Sequence, residues 1–243
     1  MAVYALGDTH LGFAVNKPMD IFGPAWARHP APLFQNWEAT VAPEDIVLVP
    51  GDISWGMTLR EAEPDLLELD ALPGRKLMIQ GNHDYWWESL KKMRGLPLKT
   101  IEFIQNDAIL LPAGTIPEVD GPVAVCGTRG WITPGDRSWH EDEAHNTKIY
   151  SREAGRLKMS LDAGKKLGAA AYIAMLHYPP VAEDHQPSAF TEVLEGYGNV
   201  LLCVYGHLHG PGARYRAFQG EHGGIRYHLV ACDGIDFTPV RVR

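Results

Sequence analysis

Five short polar clusters hold the side chains of this sequence that could do chemistry: Gly7-Asp8-Thr9-His10, Gly51-Asp52-Ile53, Gly81-Asn82-His83-Asp84, His177-Tyr178-Pro179-Pro180 and Gly206-His207-Leu208-His209-Gly210. Asp, Asn and His together, with no thiolate among them, form a donor set for divalent cations. The mixture of imidazole and oxygen suits Mn, Fe, Zn or a similar transition ion better than Ca. Asp8 with His10, and His207 with His209, stand two residues apart, so in extended backbone each pair aims two side chains to the same side. Glycines beside the clusters let the backbone turn sharply and come close to a bound ion or phosphate.

Taken singly, each fragment has a plainer explanation. Asp8 or Asp52 alone reads as a turn or helix-cap residue, and Asn82-His83-Asp84 as an Asx turn with a hydrogen-bonded histidine. The His-x-His pair is a moderate metal signal. The full set in this order is far more specific. Energetics agree, because an unpaired buried polar group costs roughly 2–7 kcal/mol and a lone buried charge more. Set against a total stability of about 5–15 kcal/mol, such a cluster would be hard to bury without a cation.

The clusters follow predicted strands. Runs at Val3 to Leu6, Ile46 to Val49, Leu77 to Ile79, Val123 to Val125, Ala171 to Leu176, Val200 to Tyr205 and Tyr227 to Ala231 have strand character,. Ligand sites in open α/β sheets lie outside the carboxyl ends of strands, so these tips can converge on one crevice. Thr58 and Glu61 have capping-box spacing, and Leu59, Ala62, Leu66, Leu69 and Leu72 recur at helical intervals,. Pro64 inside that pattern predicts a kink or a second start. A further helix begins with Ile149, Glu153, Leu157 and Leu161 and runs on through Lys165. The region from Pro112 to Asp142, dense in Pro, Gly and charge, predicts exposed loops and a lid or insertion beside the site. Strands alternating with helices give an α/β layered fold (α+β type) with mixed sheets, and residues 1–243 read as a single domain.

Composition sets the outer bounds. With 45% hydrophobic and 21% charged residues, the chain has the balance of a packed globular protein,. A formal net charge of −8 argues against a broad footprint for duplex nucleic acid,. The start Met1-Ala2-Val3-Tyr4-Ala5-Leu6 is too short and not basic enough for a signal peptide, and no apolar run reaches the roughly 18 residues of a membrane span. Cys126, Cys203 and Cys232, an odd number without CxxC spacing, read as buried free thiols,. The expectation is a soluble, cytoplasmic protein that does not engage membranes.

At the five clusters the sequence resembles the calcineurin-like metallophosphoesterases, whose scattered signature is D-x-H, G-D, G-N-H-[D/E], H and G-H-x-H. The resemblance extends from Asp8 to His209. It implies a four-layer α/β/β/α fold, with two mixed β-sheets flanked by helices and a site for two divalent metal ions at one edge. Carried over residue by residue, one metal falls to Asp8, His10, Asp52 and His209, the other to Asp52, Asn82, His177 and His207, with Asp52 as the bridge. His83 corresponds to the catalytic histidine that protonates the leaving oxygen, and Asp84 would orient it through a hydrogen bond. The implied reaction is hydrolysis of a phosphomonoester or phosphodiester on a small molecule by attack of a metal-bridging hydroxide.

Departures from subfamily patterns narrow the reading. Ile53-Ser54-Trp55-Gly56 and Asp84 stand where protein serine/threonine phosphatases carry Arg and Glu, which disfavours a phosphoprotein phosphatase. Met175 to Pro180 is similar to the H-H-P-P stretch of class III cyclic-nucleotide phosphodiesterases, but Tyr178 replaces the second His. A cyclic-nucleotide phosphodiesterase or nuclease is the nearest enzymatic alternative. A scaffold or binding protein is the non-enzymatic one, although such relatives characteristically lose ligands or the catalytic His. Arg129 and Trp131, directly after a strand, are candidate substrate contacts, with packing an equal reading. Tyr85, Trp86 and Trp87 are assigned to core and rim, at the start of a helix. Lys148, Arg152 and Arg156 read as a solvated stripe, with a phosphate clamp as the lesser alternative, and His140, His145, His185, His222 and His228 receive no role.

Overall fold

The computed structural model describes residues 1–182 and 185–243. Its strands are β1 (Val3–Ala5), β2 (Ile46–Val49), β3 (Arg75–Met78), β4 (Ile101–Phe103), β5 (Ala108–Leu111), β6 (Val123–Thr128), β7 (Ala171–Leu176), β8 (Val200–Tyr205), β9 (Gly220–His222), β10 (Ile225–Leu229) and β11 (Val240–Arg241). Its helices are α1 (Pro30–Thr40), α2 (Leu59–Ala71), α3 (Leu90–Met93), α4 (Glu143–Lys166), α5 (Ala189–Tyr197) and α6 (Gly210–Arg216). The strands form two sheets, of order β11-β1-β2-β3-β4 and β5-β6-β7-β8-β10-β9. In each, a parallel centre carries antiparallel strands at its margins: β11 on β1 in the first, β5 on β6 and β9 on β10 in the second.

The central strands are apolar on both faces because both faces are covered. Val3, Ala5, Ile46, Leu48 and Leu77 of the first sheet meet Val125, Ile173, Met175, Leu202 and Val204 of the second. The alternate residues Val47, Val49 and Met78 pack under Leu33 and Trp37 of α1 and Leu66 and Leu69 of α2. On the far side, Cys126, Ala174, Leu176 and Cys203 lie under Leu157 and Leu161 of α4 and Phe190 and Leu194 of α5. The layering is therefore α/β/β/α. Each Leu, Ile or Val so buried contributes about 1.5–3 kcal/mol by removal from water.

Local signals explain the element ends. Thr58 Oγ1 accepts from Glu61 N at 3.3 Å while Glu61 Oε2 accepts from Thr58 N at 3.2 Å, so the capping box opens α2 as expected,. The helix runs unbroken past Pro64 to Ala71, because tertiary packing of Leu66 and Leu69 outweighs the one missing N–H,. The row His140 to Glu143, expected in an exposed loop, instead leads into α4, with Asp142 capping its first turn through His145 N at 3.2 Å. Trp86 and Trp87 are buried and Tyr85 is exposed, matching core and rim, but they lie in turns ahead of α3 rather than at a helix start. The three cysteines are buried and free. Among the described residues no helix is long and apolar enough to cross a membrane.

Candidate metal centre

The polar clusters follow the carboxyl ends of β1, β2 and β3 in one sheet and of β7 and β8 in the other. Backbone bonds lock these tips together: Asp8 N donates to Gly51 O (2.9 Å), His10 N to Asp52 O (3.0 Å) and Gly206 N to His177 O (3.1 Å). His207 N donates to Asp8 Oδ1 at 2.9 Å and ties the second sheet to the first. The approach is so close that only glycine fits at two points. A Cβ on Gly81 would stand 2.1 Å from Asp52 Oδ1, and one on Gly206 would stand 2.2 Å from Asp8 Oδ2.

All seven expected ligands come together. On one side, His10 Nε2 is 3.3 Å from His209 Nε2, which is 3.6 Å from Asp8 Oδ1. On the other, Asn82 Oδ1 is 2.6 Å from His177 Nε2 and 2.8 Å from His207 Nδ1, and the two ring nitrogens are 3.3 Å apart. Asp52 Oδ2 stands between, 3.7 Å from His10 Nε2 and 3.5 Å from His177 Nε2. Two clusters with metal-ligand spacing result, Asp8-His10-His209 and Asp8-Asp52-His177, which have Asp8 in common. Asp52 Oδ2 faces the Nε2 atoms of both His10 and His177, whereas Asp8 Oδ1 approaches His177 on its Nδ1 side, at 3.8 Å.

The aim of these side chains does not come from extended backbone, as the two-residue spacing had suggested. Asp8 (φ 59°), His10 (φ 44°), Asp52 (φ 51°) and His207 (φ 73°) all lie in the left-handed region. Asp and His tolerate that region better than most residues, but holding it still costs on the order of 1–3 kcal/mol each and marks an over-determined site.

Proton bookkeeping shows that this donor set fits a cation. His177 Nδ1 lies 3.0 Å from Pro50 O, which can only accept, so the proton sits there and Nε2 presents a lone pair,. That lone pair faces the oxygens of Asn82 and Asp52, an arrangement a positive ion would reconcile. His209 repeats the pattern: Nδ1 faces Asp233 Oδ1 at 2.9 Å, leaving Nε2 for His10 and Asp8,. Asp8 Oδ2 is buried without a hydrogen-bond partner among the described residues.

Electrostatics point the same way. Burial lowers His10 and pushes His177 and His207 down to about 3, keeping these imidazoles neutral, as metal binding requires,. Burial raises Asp52, and the charges of Asp84 and Asp8 raise it further. Burial also opposes charge on His209, yet hydrogen bonds and charge from Asp233 and Asp8 push it up to about 10. The negative field that would hold that proton would equally hold a cation.

His83 stands apart from both clusters. Half-buried, its ring lies 4.6 Å from that of Trp55 and 5.8 Å from that of His10, and burial lowers its pKa. The expected hydrogen bond between His83 and the Asp84 carboxylate is a point of correction. Asp84 Oδ1 accepts from Ile53 N (2.8 Å), Ser54 N (3.2 Å) and Trp86 Nε1 (2.9 Å), and Oδ2 from Gly81 N (2.7 Å). A buried carboxylate satisfies the many donors of the surrounding loops before it can serve one half-buried ring. Its work is to pin the Asp52 loop to the Asn82 loop.

Arg129 and Trp131 do not border the large cavity beside the histidines. Arg129 lies 5.0 Å over the Trp131 ring, whose Nε1 donates to Asn146 Oδ1 at 3.0 Å, the packing reading for that tryptophan. Arg156, expected in a solvated stripe, donates to the buried Glu153 at 2.7 Å, and Arg152 reaches the same oxygen at 3.3 Å. Three participants escaped the sequence reading: Asp233, and the aromatic walls Trp26 and Trp55. Asp233 could have been found, since Cys232-Asp233-Gly234 follows a predicted strand as the other clusters do. Trp26 ends a three-residue 3-10 turn and Trp55 lies in a loop, so neither carries a periodic signal.

Comparison with known proteins adds an independent line. The family described as calcineurin-like phosphoesterase matches residues 1–211. The gene 66 protein of Mycobacterium phage D29 is 40% identical over 89 residues, which is 34% of this chain and 40% of the phage protein. Among solved structures, phosphopantetheinyl hydrolase (PptH) from Mycobacterium tuberculosis aligns with a TM-score of 0.53 at 15% identity, over 95% of this chain and 88% of its own. That likeness is one of fold. The protein of unknown function AQ665 from Aquifex aeolicus aligns over 98% of this chain and 94% of its own, with a TM-score of 0.43 and 15% identity.

Proposed function

The chain belongs to the calcineurin-like phosphoesterase family, and from that premise we propose that it hydrolyses a phosphomonoester or phosphodiester of a small molecule with two divalent cations. Asp8, His10, Asp52 and His209 would hold one ion, and Asp52, Asn82, His177 and His207 the other. When bound, the pair would supply Lewis-acid charge, activating water and neutralising phosphoryl oxygens.

The chain's own residues supply the rest. Pro50 O and the Asp233 carboxylate fix the tautomers of His177 and His209, so that Nε2 is free to ligate,. His83 holds a proton for the departing oxygen, at a ring that borders the cleft without joining either ligand cluster,. Asp84 acts through the backbone, holding the Asn82-His83 turn against Asp52; His83 N in turn donates to Asp52 Oδ1 at 2.8 Å. Trp26 and Trp55 wall the cleft beside His10.

The observation that carries this reading is the position of Asp52 Oδ2 between the Nε2 atoms of His10 and His177. The test is hydrolysis of 4-nitrophenyl phosphate and bis(4-nitrophenyl) phosphate with the protein stripped of metal and then loaded with Mn, Fe or Zn. Turnover that appears with metal and disappears in Asp52→Asn is expected. A metal-loaded wild type that cleaves neither ester would contradict it.

A further inference from the structure

A cavity of about 490 Å³ opens directly onto His10, His83 and His209, a volume in the range of small-molecule sites. We propose that it receives an apolar portion of the phosphoester, an aryl or alkyl group rather than a sugar or a nucleotide. This assignment rests on the phosphoesterase reading and deepens it.

The apolar walls begin at the candidate ligands themselves. Trp26 stands edge-on to His10 and His209, with ring centroids 5.7 and 5.4 Å away, and Trp55 stacks on His10 at 5.0 Å. Met19, Phe22, Pro24 and Pro211 complete the apolar lining. The first three come from two consecutive 3-10 turns, Met19–Phe22 and Pro24–Trp26. Phe22 is 62% exposed on this wall, where an apolar ligand would remove it from water,.

Polar side chains are few on the wall, and the Met19, Phe22 and Pro24 side offers a hydroxyl-rich group none. Besides the three histidines and the indole N–H groups of Trp26 and Trp55, of which that of Trp55 meets Met19 Sδ at 3.0 Å, the polar side chains are Asp233 and Arg214. Asp233 Oδ1 is taken by His209 Nδ1 and Oδ2 by Gly210 N, while Arg214 Nη1 donates to Asp233 O at 2.6 Å. Hydroxyls lying against Met19, Phe22 and Pro24, rather than beside the guanidinium of Arg214, would give up water for unmade hydrogen bonds, at about 1–3 kcal/mol apiece,. A hydrocarbon incurs no such penalty and gains from every methylene buried.

The experiment is calorimetric titration of the Mn-loaded protein with n-alkylphosphonates from methyl to octyl, which cannot be hydrolysed, and with 2,3-dihydroxypropylphosphonate. Each added methylene is expected to lower Kd about fourfold until the cavity is filled, and the dihydroxy compound should bind no better than methylphosphonate. In Phe22→Ser, where a largely exposed side chain is lost, the ratio of methyl to octyl Kd should shrink. A Kd that is flat along the alkyl series, absence of phosphonate binding, or dihydroxypropyl binding as tight as propyl would overturn the assignment. The same preparation assayed with 4-nitrophenyl phosphate separates the two failures. Turnover with a flat series sinks the apolar subsite alone, and no turnover sinks the hydrolase reading.

Discussion

Asp233 Oδ1 lies 2.9 Å from His209 Nδ1, and through that contact a residue outside the metal-ligand signature decides which nitrogen of His209 faces Asp8 and His10. The ring would otherwise be free to present either tautomer. Asp233 is itself held below the usual carboxylate range: burial opposes this, but hydrogen bonds from His209 and Gly210 more than offset it.

Replacement of Asp233 by Ala should therefore weaken metal affinity by about 10–100-fold, the usual cost of losing a partner behind a ligating histidine. Titration of stripped protein with Mn, followed by elemental analysis, reads this directly. Wild-type affinity in the variant would show that His209 needs no such support.

His83→Ala should keep the metal content of the wild type and lose about 10²–10⁴-fold in turnover, the range for a general acid. The loss should be smallest for esters with good leaving groups, which need no proton. A variant that loses metal instead would make His83 a ligand.

Asp84→Ala is expected to act on the fold as well as on the rate. It strands the N–H groups of Gly81, Ile53 and Ser54 and the Trp86 indole in a buried setting. With unsatisfied donors costing about 1–3 kcal/mol each, urea unfolding should show a loss of roughly 3 kcal/mol or more. A loss below about 1 kcal/mol would mean that water replaces the carboxylate.

Far from the site, Lys76 of β3 is buried against the end of α2, donating to Leu72 O and to Thr100 Oγ1 at 2.9 Å. Burial pushes its pKa down to about 8 from 10.5, although the charge of Asp70 works the other way. Between these values the unfolded chain holds more protons than the folded one, so stability should rise as pH climbs from about 8 to 10.5,. Lys76→Met should flatten that rise in urea unfolding measured across the window, and an equal slope in both proteins would refute the assignment.

Much of this was legible in the sequence. The strands at Ile46–Val49, Ala171–Leu176 and Val200–Tyr205 are apolar runs bounded by turn residues, and the structure has them at those limits. The short β4 and the proline-opened α1 were not, because neither a strand of three residues nor a helix starting Pro30-Ala31-Pro32 leaves a periodic signature. Likewise the polar clusters announced a shared site, but the left-handed backbone of Asp8, His10, Asp52 and His207 could not be read from residue types that are ordinary elsewhere,. Asp84 illustrates the remaining gap. The family resemblance implied a partner for His83, while the demand of buried backbone donors claimed its oxygens first.

The account stands on two cations sharing Asp52, and anomalous diffraction from crystals of the Mn-loaded protein tests that most directly. Two peaks are predicted, one among Asp8, His10, Asp52 and His209 and one among Asp52, Asn82, His177 and His207, both in contact with the Asp52 carboxylate. A single peak, or a pair that Asp52 does not touch, would contradict it.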